Sequence, residues 1–326
     1  MSMAHALCPA LETGIIEEYA LRNWLTRAGV VVAACFISFA AHANGVAPAP
    51  TGLIPTNNDA FRELESRYLF GFTFGTDTGA EGEREIELET TAGFQRRGGT
   101  FHAVEQEFEF EFVPSQFNHL EFSLHGVDIH AQPVSGIDNV NQTALSGFSV
   151  NYLQSIIARG PGAPFGVAVS IQPEYDWVDG TSGTRTHGYS AQTKLLIDTE
   201  IIPQRLFAAV NAIYAPEISR AKGDSFWSRT ASFGLTGALA TRVLPKLTLG
   251  AEAEYYRSYD SFGMSRLQGQ AAYIGPTFHY QFTHKIFMSA AWSTQFWGHA
   301  SGETGRHLDL TNFQQQKANI KLGFEF

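Results

Sequence analysis

The last residues of the chain, from Ala318 to Phe326, alternate strictly between apolar and polar side chains. Successive side chains of a β-strand point to opposite faces of its sheet, so a strand of this composition has one apolar and one polar face. The same two-residue alternation recurs between turn-forming residues from Arg84 onward, and no long 3.6-residue apolar period interrupts it. The pattern therefore predicts an all-β protein whose strands each separate two unlike environments.

A secretory signal precedes these strands. A basic region containing Arg22 and Arg27 is followed by the apolar core 28–41 and by a small-residue cleavage site that ends at Ala43. The apolar core is shorter than the roughly 20 residues that a helix needs to cross a bilayer. We therefore expect residues 1–43 to be an N-terminal extension and signal peptide that is cleaved after Ala43.

Cysteine content and charge restrict the class of protein further. Removal of the signal peptide takes away both cysteines, Cys8 and Cys35, so the mature chain can form neither a disulfide scaffold nor a cysteine metal site. A lipoprotein cleavage before Cys35 is the alternative, but it would leave an apolar stretch where lipoproteins usually carry a polar tether. The formal net charge of −10 argues against nucleic acid as a partner.

The alternating stretches form a regular series along the chain. We interpret as strands the stretches near 84–96, 100–113, 118–129, 145–157, 165–177, 187–199, 206–215, 228–242, 247–257, 267–282, 286–297 and 313–326. Bacterial single-chain barrels have an even number of strands, short periplasmic turns and longer outer loops. The links between the stretches mostly follow that rule. We predict a transmembrane antiparallel up-and-down β-barrel of about 12 strands over 84–326, with 14 possible, preceded by a periplasmic N-terminal segment at 44–83.

Glutamates occupy one face of the first predicted strands. In the stretches REIELET and EQEFEFEF they alternate with Ile, Leu and Phe. A charged side chain that faces lipid near the bilayer midplane costs up to about 2–4 kcal/mol, so the apolar face must meet lipid and the glutamates must face the lumen. The predicted lumen-lining acids are Glu85, Glu87, Glu89, Glu105, Glu107, Glu109, Glu111, Glu121, Glu252 and Glu254.

Two functions are consistent with an acidic lumen. The acids could line a water-filled path that favours cations, as rings of Asp and Glu do in channels. They could instead pair with the lumenal bases Lys194, Lys317 and Lys321, which would make a polar plug with a structural role. Inward-facing bases are fewer than inward-facing acids, which favours the cation path. A twelve-strand barrel is narrower than a porin, so any path would be tight.

Catalysis and metal binding receive little support. His299 and Ser301 resemble the His-x-Ser arrangement of the outer-membrane phospholipase, but the Asn that follows the Ser in that family is missing. A nucleophilic Ser also needs a base that is oriented by a third group, and none is identifiable. The other histidines are dispersed without ligand spacing. We therefore predict no enzymatic activity, no catalytic residue, no metal site and no cofactor.

The final strand resembles the closing strand of Gram-negative outer-membrane barrels, which ends on Phe and is read by the barrel-assembly machinery. The resemblance assigns this assembly signal to Ile320, Leu322, Phe324 and Phe326. The segment Gly71 to Gly126 resembles uncharacterised proteobacterial barrels related to transporter-like proteins of phenol-degradation (MetA-pathway) gene clusters.

The resemblance implies a protein of the cell outer membrane, in contact with its lipid and with the assembly machinery. It also implies a narrow passive channel or transporter for small-molecule solutes, and it identifies no solute. A non-conducting structural or binding barrel is the alternative to a channel, and an outer-membrane lipid hydrolase is the less favoured third possibility.

Overall fold

The computed structural model describes residues 65–160 and 162–326 of the chain. Twelve antiparallel strands pair in chain order and close into a barrel, because β1 pairs with both β2 and β12. The strands are β1 Arg84–Phe94, β2 Gly98–Ser115, β3 Asn118–Val134, β4 Val140–Ile157, β5 Phe165–Val178, β6 Arg185–Ile202, β7 Leu206–Ala221, β8 Ser228–Leu244, β9 Leu247–Tyr259, β10 Leu267–Gln281, β11 Ile286–Ala300 and β12 Gln316–Glu325. The predicted all-β barrel is confirmed, with twelve strands rather than fourteen.

The two ends of the barrel differ. At one end, here called the terminal rim, the barrel begins at Arg84 and ends at Glu325, and the turns are mostly short. The opposite end, the loop rim, carries the long connection 301–315. Several strands continue further toward the loop rim than the alternation predicts, as β3 and β4 do on either side of 135–139. In these extensions the strands are still paired through their backbones, but their outer face is not apolar. The sequence prediction relied on an apolar outer face and therefore ended these strands too early.

The two faces of the wall have the composition that the alternation predicts. Phe108 and Phe122 on the outside are 52% and 49% exposed, whereas Glu109 and Glu121 beside them in the chain are 4% and 7% exposed. The outer surface is therefore an apolar belt around the barrel. No helix among the described residues is both long enough and apolar enough to cross a bilayer.

The segment Glu65–Gly79, here called the lumenal segment, lies inside the barrel. It begins with a 3-10 helix at Ser66–Tyr68 and continues as a series of bends. Leu69 and Phe70 are 0% and 1% exposed and belong to an apolar cluster with residues of β7 and β8. This part of the predicted periplasmic segment 44–83 thus occupies the lumen.

The first 64 residues lie outside the described part of the chain. The predicted cleavage after Ala43 and the alternative site at Cys35 therefore stay predictions, as does the periplasmic position of residues 44–64. The short segment 80–83 connects the lumenal segment to β1 at the terminal rim.

The connection 301–315 folds back into the barrel at the loop rim. Gln295 Nε2 on β11 donates hydrogen bonds to the carbonyl oxygens of Asp309 and Gln314, at 3.2 and 3.1 Å. Tyr273 Oη donates to the same carbonyl of Gln314 at 2.6 Å, and Asp309 is fully buried. The connection therefore covers the side of the loop rim formed by β10–β12.

Candidate functional site: the lumen

Strand pairing arranges the acids in rows around the inner wall. Glu85 on β1 pairs with Glu111 on β2, which pairs with Glu121 on β3. Glu87 and Glu109 face each other in the next row. Like charges directly opposite each other destabilise a sheet, so these rows require counter-charge or water. The structure supplies counter-charge from β12 and from the lumenal segment.

Arg67 of the lumenal segment neutralises the row nearest the terminal rim. Its Nη2 lies 2.8 Å from Glu121 Oε2 and 3.7 Å from Glu111 Oε2, and all three side chains are nearly fully buried. Tyr68 Oη donates a hydrogen bond to Glu111, and His119 Nε2 lies 2.8 Å from the same carboxylate. Burial raises the pKa of the Tyr68 phenol well above its ordinary value, so this side chain is a neutral donor.

Glu252 on β9 holds the middle of the lumenal segment by its backbone. Its carboxylate accepts hydrogen bonds from the N–H groups of Gly71, Phe72 and Thr73 at 2.6, 2.9 and 2.8 Å. Hydrogen bonds to a charged group contribute about 1.5–3 kcal/mol each. A single carboxylate therefore satisfies three consecutive backbone donors of an irregular segment that has no strand partner.

The close fit of the lumenal segment requires a glycine. A Cβ atom added to Gly71 would lie 2.2 Å from the Cβ of Ala291 on β11, which is far inside van der Waals contact. Next to this point, the carbonyl oxygen of Tyr68 accepts hydrogen bonds from His279 Nδ1 at 3.1 Å and from the Ser289 hydroxyl. The segment is thus seated against β10 and β11 as well as β9.

Lumenal lysines contact the aromatic rings of the same segment. Lys317 Nζ lies 4.3 Å from the ring centroid of Phe72, and Lys194 and Lys321 lie 4.2 and 4.5 Å from that of Phe74. Cation–π contacts of this length contribute from about 0.5 to 2 kcal/mol, depending on desolvation. The predicted counter-charges therefore hold the lumenal segment in addition to neutralising acids.

Two of the predicted lysines also pair with predicted acids. Lys321 Nζ lies 2.7 Å from Glu89 Oε2 and 3.5 Å from Glu87 Oε1, on the neighbouring strand β1. Lys317 Nζ instead reaches Glu254 Oε2 on β9, at 2.5 Å. These lysines therefore neutralise part of the acidic wall, as the alternative of a polar plug with a structural role predicts.

A cavity of about 220 Å³ lies in the middle of the lumen. Glu105 and Glu107 keep 38% and 20% of their side-chain surface exposed, and their nearest basic partner is His125, at 4.0 and 3.6 Å. The acids that line this central cavity are Glu87, Glu89, Glu105, Glu107, Glu109, Glu121 and Glu174, and the bases are Arg67, Lys194, Lys321 and His125. Acids outnumber bases there, and the remaining surface is largely polar.

All the acids predicted to face the lumen lie on the inner wall. Besides those of the central cavity, Glu85 and Glu111 line a small space at the terminal rim, and Glu252 and Glu254 are 1% and 3% exposed inside β9. The outward side chains of the predicted assembly signal, Ile320, Leu322, Phe324 and Phe326, are 45–50% exposed. Their role in assembly stays a prediction.

The sequence matches one family model over residues 63–326, and that model is described as a family of unknown function, DUF6662. The chain belongs to this family. The matched range begins just before the lumenal segment and ends at the last residue, so the DUF6662 match includes this segment together with the barrel. A comparison with curated protein sequences finds no match.

The chain is also similar to several solved structures. The COG4313 outer membrane channel from Pseudomonas putida F1 has a TM-score of 0.51 at 9% identity, covering 77% of this chain and 98% of that one. The NanC porin has a TM-score of 0.43 at 12% identity, covering 73% and 98%. The β domain of the Bordetella autotransporter Brka has a TM-score of 0.44 at 9% identity, covering 74% and 98%. The likeness to the COG4313 channel shows a shared barrel fold.

The His-x-Ser motif is not arranged as a catalytic site in the described residues. His299 is exposed near the end of β11, Ser301 is exposed in the connection that follows, and no hydrogen bond joins their side chains. Apo enzymes can show loose geometry, so the absence of activity stays a prediction. The relation to barrels of phenol-degradation gene clusters also stays a prediction.

Sequence reasoning missed the residues that fix the lumenal segment. Arg67 and Tyr68 lie far from Asp198 in the chain and none of the three belongs to a motif, although Arg67 lies beside two acids. Asp198 on β6 accepts hydrogen bonds from Thr76 N and Oγ1 at 3.0 and 2.8 Å, and Arg159 Nη1 lies 2.8 Å away. The sequence contained one signal for them. More acids than lysines were predicted to face the lumen, which indicates that a further basic residue is needed to neutralise some of the acids.

Replacing Glu252 by Gln should loosen the lumenal segment. The amide offers one acceptor oxygen in place of two, so at least one buried backbone N–H loses its partner at a cost of about 1–3 kcal/mol. A Thr73→Cys substitution in the chain from Asn44 onward provides a single thiol for labelling. We expect maleimide labelling of Cys at this position to become several-fold faster in the Glu252→Gln background.

The matched control is Glu217→Gln, since Glu217 is a lumenal acid on β7 that lines a different cavity. This change should leave the labelling rate as it is in the parent. Equal rates in the Glu252→Gln and parent backgrounds would show that this carboxylate does not hold the segment.

Proposed function

We propose that this protein is an outer-membrane channel for small cationic or neutral solutes. In this proposal the lumenal segment closes the channel at the periplasmic end until the segment moves. The apolar belt and the predicted signal peptide support a position in the outer membrane, with the terminal rim facing the periplasm. The fold that the chain shares with a known outer-membrane channel supports passage rather than catalysis.

The observation that carries the proposal is the excess of acids around the central cavity. Carboxylates without a base must be hydrated or neutralised, because an isolated buried charge is strongly unfavourable. The side chains of Glu105 and Glu107 line this cavity and stay partly exposed. Charged groups that line a water-filled path are exposed in the same way. Rings of acids in a narrow lumen favour cations over anions.

Selectivity in planar bilayers tests the proposal. We expect a reversal potential in a salt gradient that corresponds to cation preference, and we expect Glu107→Gln/Glu109→Gln to reduce that preference several-fold. The paired control Asp138→Asn/Asp224→Asn removes the same charge from exposed positions at the loop rim and should change the reversal potential little. Anion preference in the parent, or equal effects of both pairs, would contradict an acidic selectivity region.

A non-conducting barrel is the second candidate, and the many contacts of the lumenal segment favour it. A barrel whose lumen is filled to stabilise the wall needs no path. A membrane that stays sealed at all voltages, even after the lumenal segment is deleted, would establish this candidate and exclude the channel.

A further inference from the structure

A second group of side chains lies between the central cavity and the loop rim. His125 on β3 and Glu174 and Asp176 on β5 each offer one nitrogen or oxygen atom, and these atoms lie within 4.8 Å of one another. Glu105 Oε1 on β2 lies 4.0 Å from His125 Nδ1. Here this group is called the histidine–acid cluster.

Strand register explains why these residues meet. His125 is paired with Gly147 on β4, and Gly147 is paired with Asp176 on β5. A Cβ on Gly147 would lie 2.1 Å from Asp176 Oδ1, so glycine at this position leaves the room that the carboxylate occupies. The cluster therefore depends on the space that Gly147 leaves on β4, between β3 and β5. No sequence motif indicates this space.

The imidazole of His125 is oriented toward the acids. The side chain is 2% exposed. Its Nε2 lies 3.1 Å from Ser149 Oγ, and Ser149 Oγ also accepts a hydrogen bond from Gln172 Nε2 at 3.0 Å. In a neutral imidazole whose Nε2 donates to that hydroxyl, Nδ1 carries the lone pair. His125 Nδ1 is buried, has no hydrogen-bond partner and lies 3.4 Å from Glu174 Oε1.

A nitrogen lone pair that faces two carboxylates is repulsive unless a proton or a metal cation lies between them. In the chemistry of proteins, one imidazole nitrogen with carboxylate oxygens is a ligand set for zinc and related divalent transition metals. A second side chain that orients the imidazole, as Ser149 does, is a regular feature of such sites. Ligand atoms bound to a tetrahedral zinc ion at about 2.0–2.2 Å stand about 3.3–3.6 Å apart, so side-chain shifts of about 1 Å would close the cluster on an ion.

On the side that faces the loop rim, the cluster has no competing Lys or Arg among the lining residues that the structure describes. A cavity of about 360 Å³ at the loop rim includes Glu105, Glu174 and Asp176 in its wall, together with Asp179 and Glu217. No Lys or Arg is among the described residues that line this cavity. By contrast, the acids Glu111 and Glu121 near His119 already have Arg67 as their cation.

We propose that the histidine–acid cluster binds a divalent transition-metal cation, with His125 Nδ1, Glu174 and Asp176 as ligands and Glu105 beside them. The cation enters through the cavity at the loop rim. This inference deepens the proposed function and rests on it for the kind of solute that the lumen admits. The sequence predicts no metal site because spacing rules apply to ligands on one element, whereas these ligands come from β3 and β5, which are not adjacent.

Calorimetric titration of the folded full-length barrel in detergent with zinc chloride and with manganese chloride tests the site. We expect one saturable site for zinc, weakened at least tenfold by His125→Gln and by Glu174→Gln. His119→Gln replaces another buried histidine beside acids and should keep the parent affinity. Gly147→Ala keeps every ligand but displaces Asp176, so it should also weaken binding.

The outcomes separate this inference from the proposed channel. A parent barrel without saturable zinc or manganese binding, or with binding that His125→Gln and Glu174→Gln leave unchanged, overturns the metal site even if the barrel conducts cations. Saturable binding that both variants weaken, in a barrel that seals the membrane, supports the site while excluding the channel. If His125→Gln does not fold, the half-buried Glu174 provides the deciding variant.

Discussion

Deletion of the lumenal segment Glu65–Gly79 is expected to raise single-channel conductance several-fold. The segment crosses the lumen near the terminal rim, where it contacts β2, β3 and β6 through side chains and β9 through the backbone. Ionic current depends on the hydrated cross-section of the lumen, and this segment fills part of that cross-section near the terminal rim. Planar-bilayer recordings of the refolded parent and of the deletion variant measure the difference.

A single substitution provides a milder form of the same test. Gly71→Leu introduces a side chain where Ala291 leaves no space for even a Cβ, so the segment must leave its seat. We expect this variant to conduct more than the parent. Ala80→Leu adds the same side chain at an exposed position just beyond the segment and should behave as the parent does. Unchanged conductance in both the deletion and Gly71→Leu would mean that the segment does not obstruct the path.

Deletion of the lumenal segment also removes Arg67, which lowers the stability of the barrel. Loss of one partner from a buried ion pair typically destabilises a protein by about 3–5 kcal/mol, because the other charge is left uncompensated. In the deletion variant, water that enters the space could solvate Glu111 and Glu121, which makes the cost smaller than for a closed core. The deletion is therefore a test of conductance in a barrel that is less stable but still closed by its strand pairing.

The barrel was predictable from the sequence because its wall separates lipid from a polar interior. Residues 85–89 alternate acids with apolar residues, and only one orientation of such a strand is tolerable in a bilayer. The pairing of Lys321 with Glu87 and Glu89 follows in turn, because β12 must close against β1. These features depend on local periodicity and on the order of neighbouring strands.

The contents of the lumen were not predictable in the same way. The lumenal segment has an aromatic residue at every second position from Tyr68 to Phe74, which is the spacing of a strand, yet it forms bends, and its partners are remote, as Glu252 is from Gly71. Lys317 pairs with Glu254 across the lumen instead of with an acid on the adjacent β1. Contacts across an enclosed space depend on the diameter of the barrel and on what fills it, and neither quantity is contained in the periodicity of one strand.

Replacing Phe108 by Arg is expected to destabilise the membrane-inserted barrel by about 2–4 kcal/mol more than Phe108→Ala does, since an Arg on the lipid face has that cost near the midplane. Phe108 is 52% exposed on the outer belt, where β2 lies between β1 and β3. Urea titration of the barrel refolded into lipid vesicles measures the free energy of unfolding of each variant.

Glu107→Arg is the matched control, because it places the same side chain one residue away and on the opposite face. Glu107 lines the central cavity, where acids outnumber bases, so a guanidinium there meets water and carboxylates instead of lipid. We expect a clearly smaller loss of stability than for Phe108→Arg. Equal losses for the two Arg variants would contradict the assignment of the apolar belt to lipid and of the glutamates to an aqueous interior, since that assignment requires opposite surroundings for adjacent side chains.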